Sequence, residues 1–232
     1  MKISIIYFGI LVLGLFYCRP VKHNKFDSNV IDTIYLDNSI LKTEERCLNL
    51  ANSFYVKFGV AIPLYYNVMD SLNIDLNNDG LIDTLVVLSP VALEDPSFLE
   101  CEVQQDPKRV VVEIINKSGI SRVRKIYSNL ISDIGGVLSK YVGLYKSKDG
   151  FKIQHESGSR YSWTYILEFS TKSNESIIVV KIEKLCSFEG IERKVEYSLD
   201  NFPADRININ DTLSNNCSCD EVWKILEKNK DE

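Results

Sequence analysis

A chain of 232 residues, 45% hydrophobic and 25% charged, has the composition of a folded globular protein and excludes a disordered or fibrous one. Its formal net charge of −5 argues against a nucleic-acid partner, because phosphate binding needs a basic footprint. The short basic runs Lys108-Arg109 and Arg122-Val-Arg124-Lys125 alternate with apolar residues and read as solvated strand faces.

The chain begins with Met1-Lys2, a short positive start, followed by an apolar run from Ile3 to Tyr17. A run of about 15 residues suits a secretory signal and is short for a membrane span. No Ala or Gly follows between residues 18 and 30, so a small-residue cleavage site is missing. The run ends instead at Cys18, with Arg19-Pro20 behind it. This resembles a bacterial lipoprotein signal, in which the cysteine left by cleavage is acylated. Leu15 fits that pattern, whereas Tyr17 stands where a small residue is usual. Lipidation at Cys18, plain secretion and an uncleaved anchor are the readings this segment allows, in that order. The predicted organisation is a signal over 1–18, a tether over 19–30 and one β-rich domain over 31–232.

Within that domain, Ile31 to Leu36 reads as a short strand. Cys47, Leu48, Ala51, Phe54, Tyr55 and Phe58 fall at helical spacing and predict a helix from Glu44 to Phe58, capped by Thr43 and stopped by Gly59. From Ile74 onward the period shortens to that of strands. Asp83–Leu88, Arg109–Ile115 and Ser121–Tyr127 are predicted strands, the last two joined by a turn at Asn116-Lys-Ser-Gly119. Asn129 to Leu138 is ambiguous and is broken by Gly135-Gly136. Gly143–Lys148 and Phe151–Glu156 flank Asp149-Gly150, a dipeptide favoured in hairpin turns, and Ser157-Gly158-Ser159 forms a second turn. Strands follow over Tyr161–Ser170, Ser176–Leu185 and Arg193–Ser198. A short amphipathic helix over Asp220–Lys228 closes the chain, with Val222, Trp223, Ile225 and Leu226 on its apolar face. The expected class is α+β but mostly β: an antiparallel sheet core with an N-terminal and a short C-terminal helix.

Beyond Cys18 there are five cysteines: Cys47, Cys101, Cys186, Cys217 and Cys219. Export permits disulfides, and the odd number leaves at least one thiol outside intrachain pairs. Cys217 and Cys219 are too close for an easy mutual bridge, so one of them pairing with Cys186 or Cys101 is plausible and the connectivity stays open. Zinc is disfavoured, since a single C-x-C and two distant histidines, His23 and His155, do not make a ligand set.

The one local signature that carries chemistry is Asp75-Leu-Asn77-Asn-Asp79-Gly80-Leu81-Ile-Asp83, with Thr84-Leu-Val-Val-Leu88 behind it. Oxygen donors at alternate positions of a tight loop can converge on one hard cation, and Ca²⁺ takes six to eight oxygens. Asp75, Asn77, Asp79, the Leu81 carbonyl and Asp83 are the predicted donors, with Gly80 permitting the turn. The twelfth position is Val86, where an EF-hand needs Glu, and a strand follows rather than a helix. The competing reading is a metal-free turn, since Asp and Asn favour turns unaided. The pattern resembles the calcium loop of integrin-type and FG-GAP/VCBS repeats, D-x-N-x-D-G-x-x-D followed by a strand.

A wider similarity covers roughly residues 68 to 170. The order of acidic loop, the strand Arg109-Val-Val-Val-Glu-Ile-Ile115, a hairpin, and His155-Glu-Ser-Gly158-Ser159-Arg160-Tyr-Ser-Trp163 resembles uncharacterised secreted proteins and lipoproteins of the Bacteroidetes type. Phe202-Pro-Ala-Asp-Arg-Ile207 looks like their C-terminal tail. Ile131-Ser-Asp-Ile-Gly135-Gly136 stands where they carry a C-x-x-C-G-G element. The resemblance implies a shared fold and export, and no activity.

His155, Arg160 and Trp163 suggest a ligand site, but Tyr161, Trp163 and Tyr165 share one strand face. An aromatic face packed on the core is the stronger reading. The chain has no G-x-S-x-G, H-E-x-x-H or phosphate-loop motif. The expected function is therefore a calcium-stabilised, non-catalytic binding or structural module. It is exported to the cell envelope (outer-membrane lipoprotein or periplasm) or secreted, and meets an unknown protein or glycan. A lipid anchor at Cys18 would hold it to the membrane. The alternative is a periplasmic immunity or inhibitor protein using an acidic segment near Glu94-Asp95 or Glu100. A hydrolase would require His155 in a pocket beside a carboxylate or hydroxyl.

Overall fold

A computed structural model describes residues 31–36, 47, 53–91, 108–132, 140–158, 161–172, 176–188 and 191–209. The chain divides between Val30 and Ile31. The first part, with Cys18, lies outside the described residues, as does the expected helix over Asp220–Lys228.

The described part of the second unit is built from twelve strands. β1 (Asp32–Thr33), β2 (Phe54–Lys57) and β3 (Val60–Pro63) form a sheet in the order β1-β3-β2. β4 (Tyr66–Ile74), β5 (Asp83–Pro90), β6 (Val110–Lys117) and β7 (Ile120–Tyr127) form a second sheet in chain order. β8 (Lys140–Lys146), β9 (Gly150–Gly158), β10 (Tyr161–Ser170), β11 (Ile178–Phe188) and β12 (Ile191–Pro203) form a third sheet, again as successive neighbours. A 3-10 turn over Ala204–Arg206 follows β12. Only β1 pairs in parallel, with β3; every other pairing is antiparallel.

The four-stranded sheet is the middle layer. Leu85 and Val87 on β5 and Val111 on β6 pack with Phe151, Ile153, Tyr165, Leu167 and Phe169 of the five-stranded sheet. The alternate residues Val86, Leu88, Val110 and Val112 pack with Val60 and Ile62 of the small sheet. Side chains alternate across a strand, so a strand buried on both faces must be apolar at every position. That explains the unbroken run Leu85-Val-Val-Leu88. The five-stranded sheet covers one face only, and its strands alternate: Phe151 and Phe169 stack inside at 4.6 Å, while Lys152 and Glu168 pair outside.

The predicted helix over Glu44–Phe58 is corrected at its C-terminal end; residues 44–46 and 48–52 lie outside the described residues. Phe54–Lys57 is strand β2, paired antiparallel with β3, and Phe58-Gly59 is the hairpin turn between them. Both turn residues have positive φ, 55° and 76°, as the tight hairpin turn requires. The glycine read as a helix stop is thus a hairpin glycine, for both uses need the left-handed backbone. Over the described residues the class is mostly β rather than α+β. The strands predicted over Asp83–Leu88, Arg109–Ile115, Ser121–Tyr127 and Tyr161–Ser170 correspond to β5, β6, β7 and β10.

Candidate functional site

The acidic loop joins β4 to β5, whose ends meet in the Ile74–Asp83 pair. Three side chains curl inward on its backbone. Asp75 accepts from the backbone N–H of Asn77 (3.3 Å) and Asp79 (3.2 Å) through Oδ1, and from Gly80 (2.9 Å) through Oδ2. Asn77 Oδ1 accepts from the same Asp79 N–H at 3.1 Å, and Asn77 Nδ2 donates to Asp79 Oδ2 at 3.0 Å. Asp79 Oδ1 accepts from Leu81 N–H at 2.8 Å. Such side-chain-to-backbone bonds are what short Asp and Asn side chains offer a turn. Asn78 and Gly80 take left-handed backbone, at φ 57° and 82°, which lets the loop reverse twice within a few residues. Asn78 Nδ2 donates to the Thr171 carbonyl just beyond β10 and so ties the loop to the outer sheet.

Asp83 is placed differently. Its side chain is 1% exposed. Its Oδ2 accepts from Leu76 N–H at 2.9 Å and its Oδ1 from Asn116 N–H at 2.7 Å. It therefore clips the start of the loop to the end of β6. Leu76 is buried between the two large sheets, and its carbonyl accepts from Arg124 Nη2 at 3.2 Å. Arg124 is the unpaired residue of a bulge, because Glu113 pairs with Lys125 and Ile114 with Val123. A bulge re-aims a side chain. Arg124 uses this to reach Glu113, which is 1% exposed. Tyr127 donates to the other Glu113 oxygen at 2.5 Å. Burial, then the Glu113 charge, raises the Tyr127 hydroxyl above its ordinary value and keeps it a donor.

Asp75 and Asn77 thus share one amide, the Asp79 N–H, while the Asp79 carboxylate accepts from Asn77 and Leu81 and Asp83 is buried at the base of the loop. Among the described residues no three His, Cys, Asp or Glu side chains cluster as a metal group. The loop carries two carboxylates, one side-chain amide and the Leu81 carbonyl. Oxygen-only donors of that kind fit a hard cation such as Ca²⁺.

His155 on β9 and Trp163 on β10 both point to the inner face of the outer sheet. His155 is 0% exposed. Its Nε2 accepts from Ser132 N–H at 3.2 Å, so the proton sits on Nδ1, which is buried without a hydrogen-bond partner. Its ring meets Tyr141 edge-on at 6.0 Å. Burial, and then the nearby Arg109 charge, lowers its pKa to about 4. Trp163 is partly buried against the core cluster. Arg160 lies outside the described residues. Cys47 is disulfide-bonded, and Cys186 is buried on β11.

Sequence reasoning passed over Glu113, Arg124 and Asp70. A lone Glu inside Val110-Val-Val-Glu113-Ile-Ile115 was the available signal for the first, since a charge in a strand buried on both faces needs a partner. Asp70 accepts from Tyr141 Oη at 2.7 Å and from Leu144 N–H at 2.9 Å, joining β4 to β8; nothing local in the sequence marks it. Comparison with known proteins finds no matching family model, no matching curated protein and no matching solved structure.

Proposed function

We propose that this chain is an exported, non-catalytic binding or structural module of the bacterial envelope whose Asp75–Asp83 loop takes a calcium ion. One observation carries the reading. The side-chain oxygens of Asp75 and Asn77 converge on the amide of Asp79, on a loop whose base is held by buried Asp83. In this reading Asp75, Asn77, Asp79 and the Leu81 carbonyl face the ion, and Asp83 fixes the loop to the sheet. The ion offsets repulsion between the Asp75 and Asp79 carboxylates, so binding adds to folding stability. Leu81 and Ile82 stand exposed beside the loop and offer an apolar contact to a protein or glycan.

Export rests on the apolar run that ends at Cys18, the residue that would carry the lipid anchor. The Cys47 disulfide suits an oxidising compartment. The hydrolase alternative needs an accessible His155, and that residue is sealed in the core. The acidic segments that would favour an inhibitor lie outside the described residues.

Thermal melting in Ca²⁺ and in EGTA tests the proposal. The melting temperature is expected to rise with Ca²⁺ in the wild type and to stay fixed in Asp79→Ala. Identical wild-type curves in the two buffers would refute it.

A further inference from the structure

The long edges of the two large sheets are treated differently. β4 and β8 meet through Asp70, which binds Tyr141 and Leu144. β7 is met by Asp32, whose Oδ2 accepts from Val123 N–H at 2.9 Å. β12 pairs with β11 on one side, and among the described residues no strand pairs with its other side. It runs 13 residues. An open edge of that length is a template for another strand.

The sequence along this edge is self-complementary. It reads Glu192-Arg-Lys194-Val195-Glu196-Tyr-Ser198, and every residue of the stretch except Val195 is exposed. A two-fold axis normal to the sheet keeps each side chain on its own face. A residue can then stand opposite only one that alternates with it in step. Three central registers meet that condition. Centring on Lys194 sets Lys194 against itself and Glu192 against Glu196. Centring on Glu196 sets Glu196 against itself. Both place like charges directly opposite, which destabilises a ladder. Centring on Val195 sets Lys194 against Glu196 of the second copy, twice by symmetry, and Arg193 against Tyr197. Opposite charges and a cation over an aromatic ring both favour that register.

We propose that β12 is a homodimer interface, in which two copies of this chain pair their β12 strands antiparallel about Val195 and continue the five-stranded sheet across the axis. The occupant is a second copy because charge complementarity selects one register of this strand against itself. Within one copy Lys194 and Glu196 pair at 2.6 Å and also reach Glu183 and Lys181 of β11, so the second copy's charges would extend an alternating network already present on this face. The contact is isologous and closes at two copies.

Light scattering on the purified protein across micromolar concentrations tests this, with circular dichroism to confirm that each variant is folded. The wild type is expected to show a concentration-dependent dimer. Glu196→Lys places like charges opposite at two symmetric points and is expected to weaken it by about tenfold or more. The exchange Lys194→Glu with Glu196→Lys restores the pairing. Val195→Cys faces its own symmetry mate and is expected to form a covalent dimer on mild oxidation, because directly opposed strand residues lie within disulfide reach. A wild-type monomer at every concentration would overturn the proposal. So would a dimer indifferent to Glu196→Lys, since another surface would then hold it.

Discussion

His155 shows how burial sets a residue's chemistry. Packed against Tyr141 and accepting an amide proton at Nε2, it is held neutral, with its pKa lowered from 6.5 to about 4. The unfolded chain takes up that proton first as pH falls, so stability is full above 6.5 and declines through the window down to about 4. At about 1.4 kcal/mol per pKa unit the loss is about 3.5 kcal/mol at most. Urea unfolding of wild type and His155→Gln at neutral pH and near pH 5 checks this, since the wild type should lose more stability than the variant. Equal losses would show that the imidazole is not buried as described. Sequence alone gave His155 a choice between ligand and core. Alternation placed Tyr161, Trp163 and Tyr165 on one face, but that His155 joins them depends on the hairpin register that sets it opposite Tyr165, and its depth depends on which sheet lies opposite. Asp83 repeats the lesson. Spacing made it a donor equal to Asp75 and Asp79, yet as the first residue of β5 its side chain is drawn inside to hold two backbone amides.

At the scale of elements, the hairpins were readable and the N-terminal helix was not. Ser118-Gly119 and Phe58-Gly59 both adopt paired positive φ, and the first was predicted as a turn because strands with clear alternation flank it. The second was masked by apolar residues that happen to recur at helical spacing. Phe54-Tyr-Val-Lys57 is rich in strand-favouring side chains, and pairing with β3 decides its conformation. The bulge at Arg124 could not be read locally, for a bulge is a relation between two strands. It makes one exacting prediction. Arg124→Met leaves the buried Glu113 carboxylate without its cation, and about 3–5 kcal/mol of stability is expected to be lost. Adding Glu113→Gln removes the uncompensated charge and is expected to recover most of that loss, measured by denaturant unfolding. An Arg124→Met protein as stable as wild type would mean that the network does not anchor the loop.

At the scale of the whole molecule, the middle sheet organises the rest. Because both its faces are covered, β5 and β6 are apolar over Leu85–Leu88 and Val110–Val112, with Asp83, Thr84, Asn116 and Lys117 gathered at one end. That end is where the acidic loop emerges. The loop is therefore a projection of the best-buried layer: Leu76 sits in the core, donates its N–H to Asp83 and accepts from Arg124 at its carbonyl, while Asp79 and Gly80 reach solvent. The layering was foreshadowed by the unbroken run after Asp83, but the chain does not announce that a small sheet and a large one cover the two faces. A cation gripped at the tip of such a loop would be felt through the middle sheet. The most direct measurement is calorimetric titration of the metal-free protein with Ca²⁺. The account predicts saturable binding of one ion per chain, abolished in Asp79→Ala and retained in His155→Gln. Absence of any saturable heat, together with no bound Ca²⁺ in equilibrium dialysis, would contradict it.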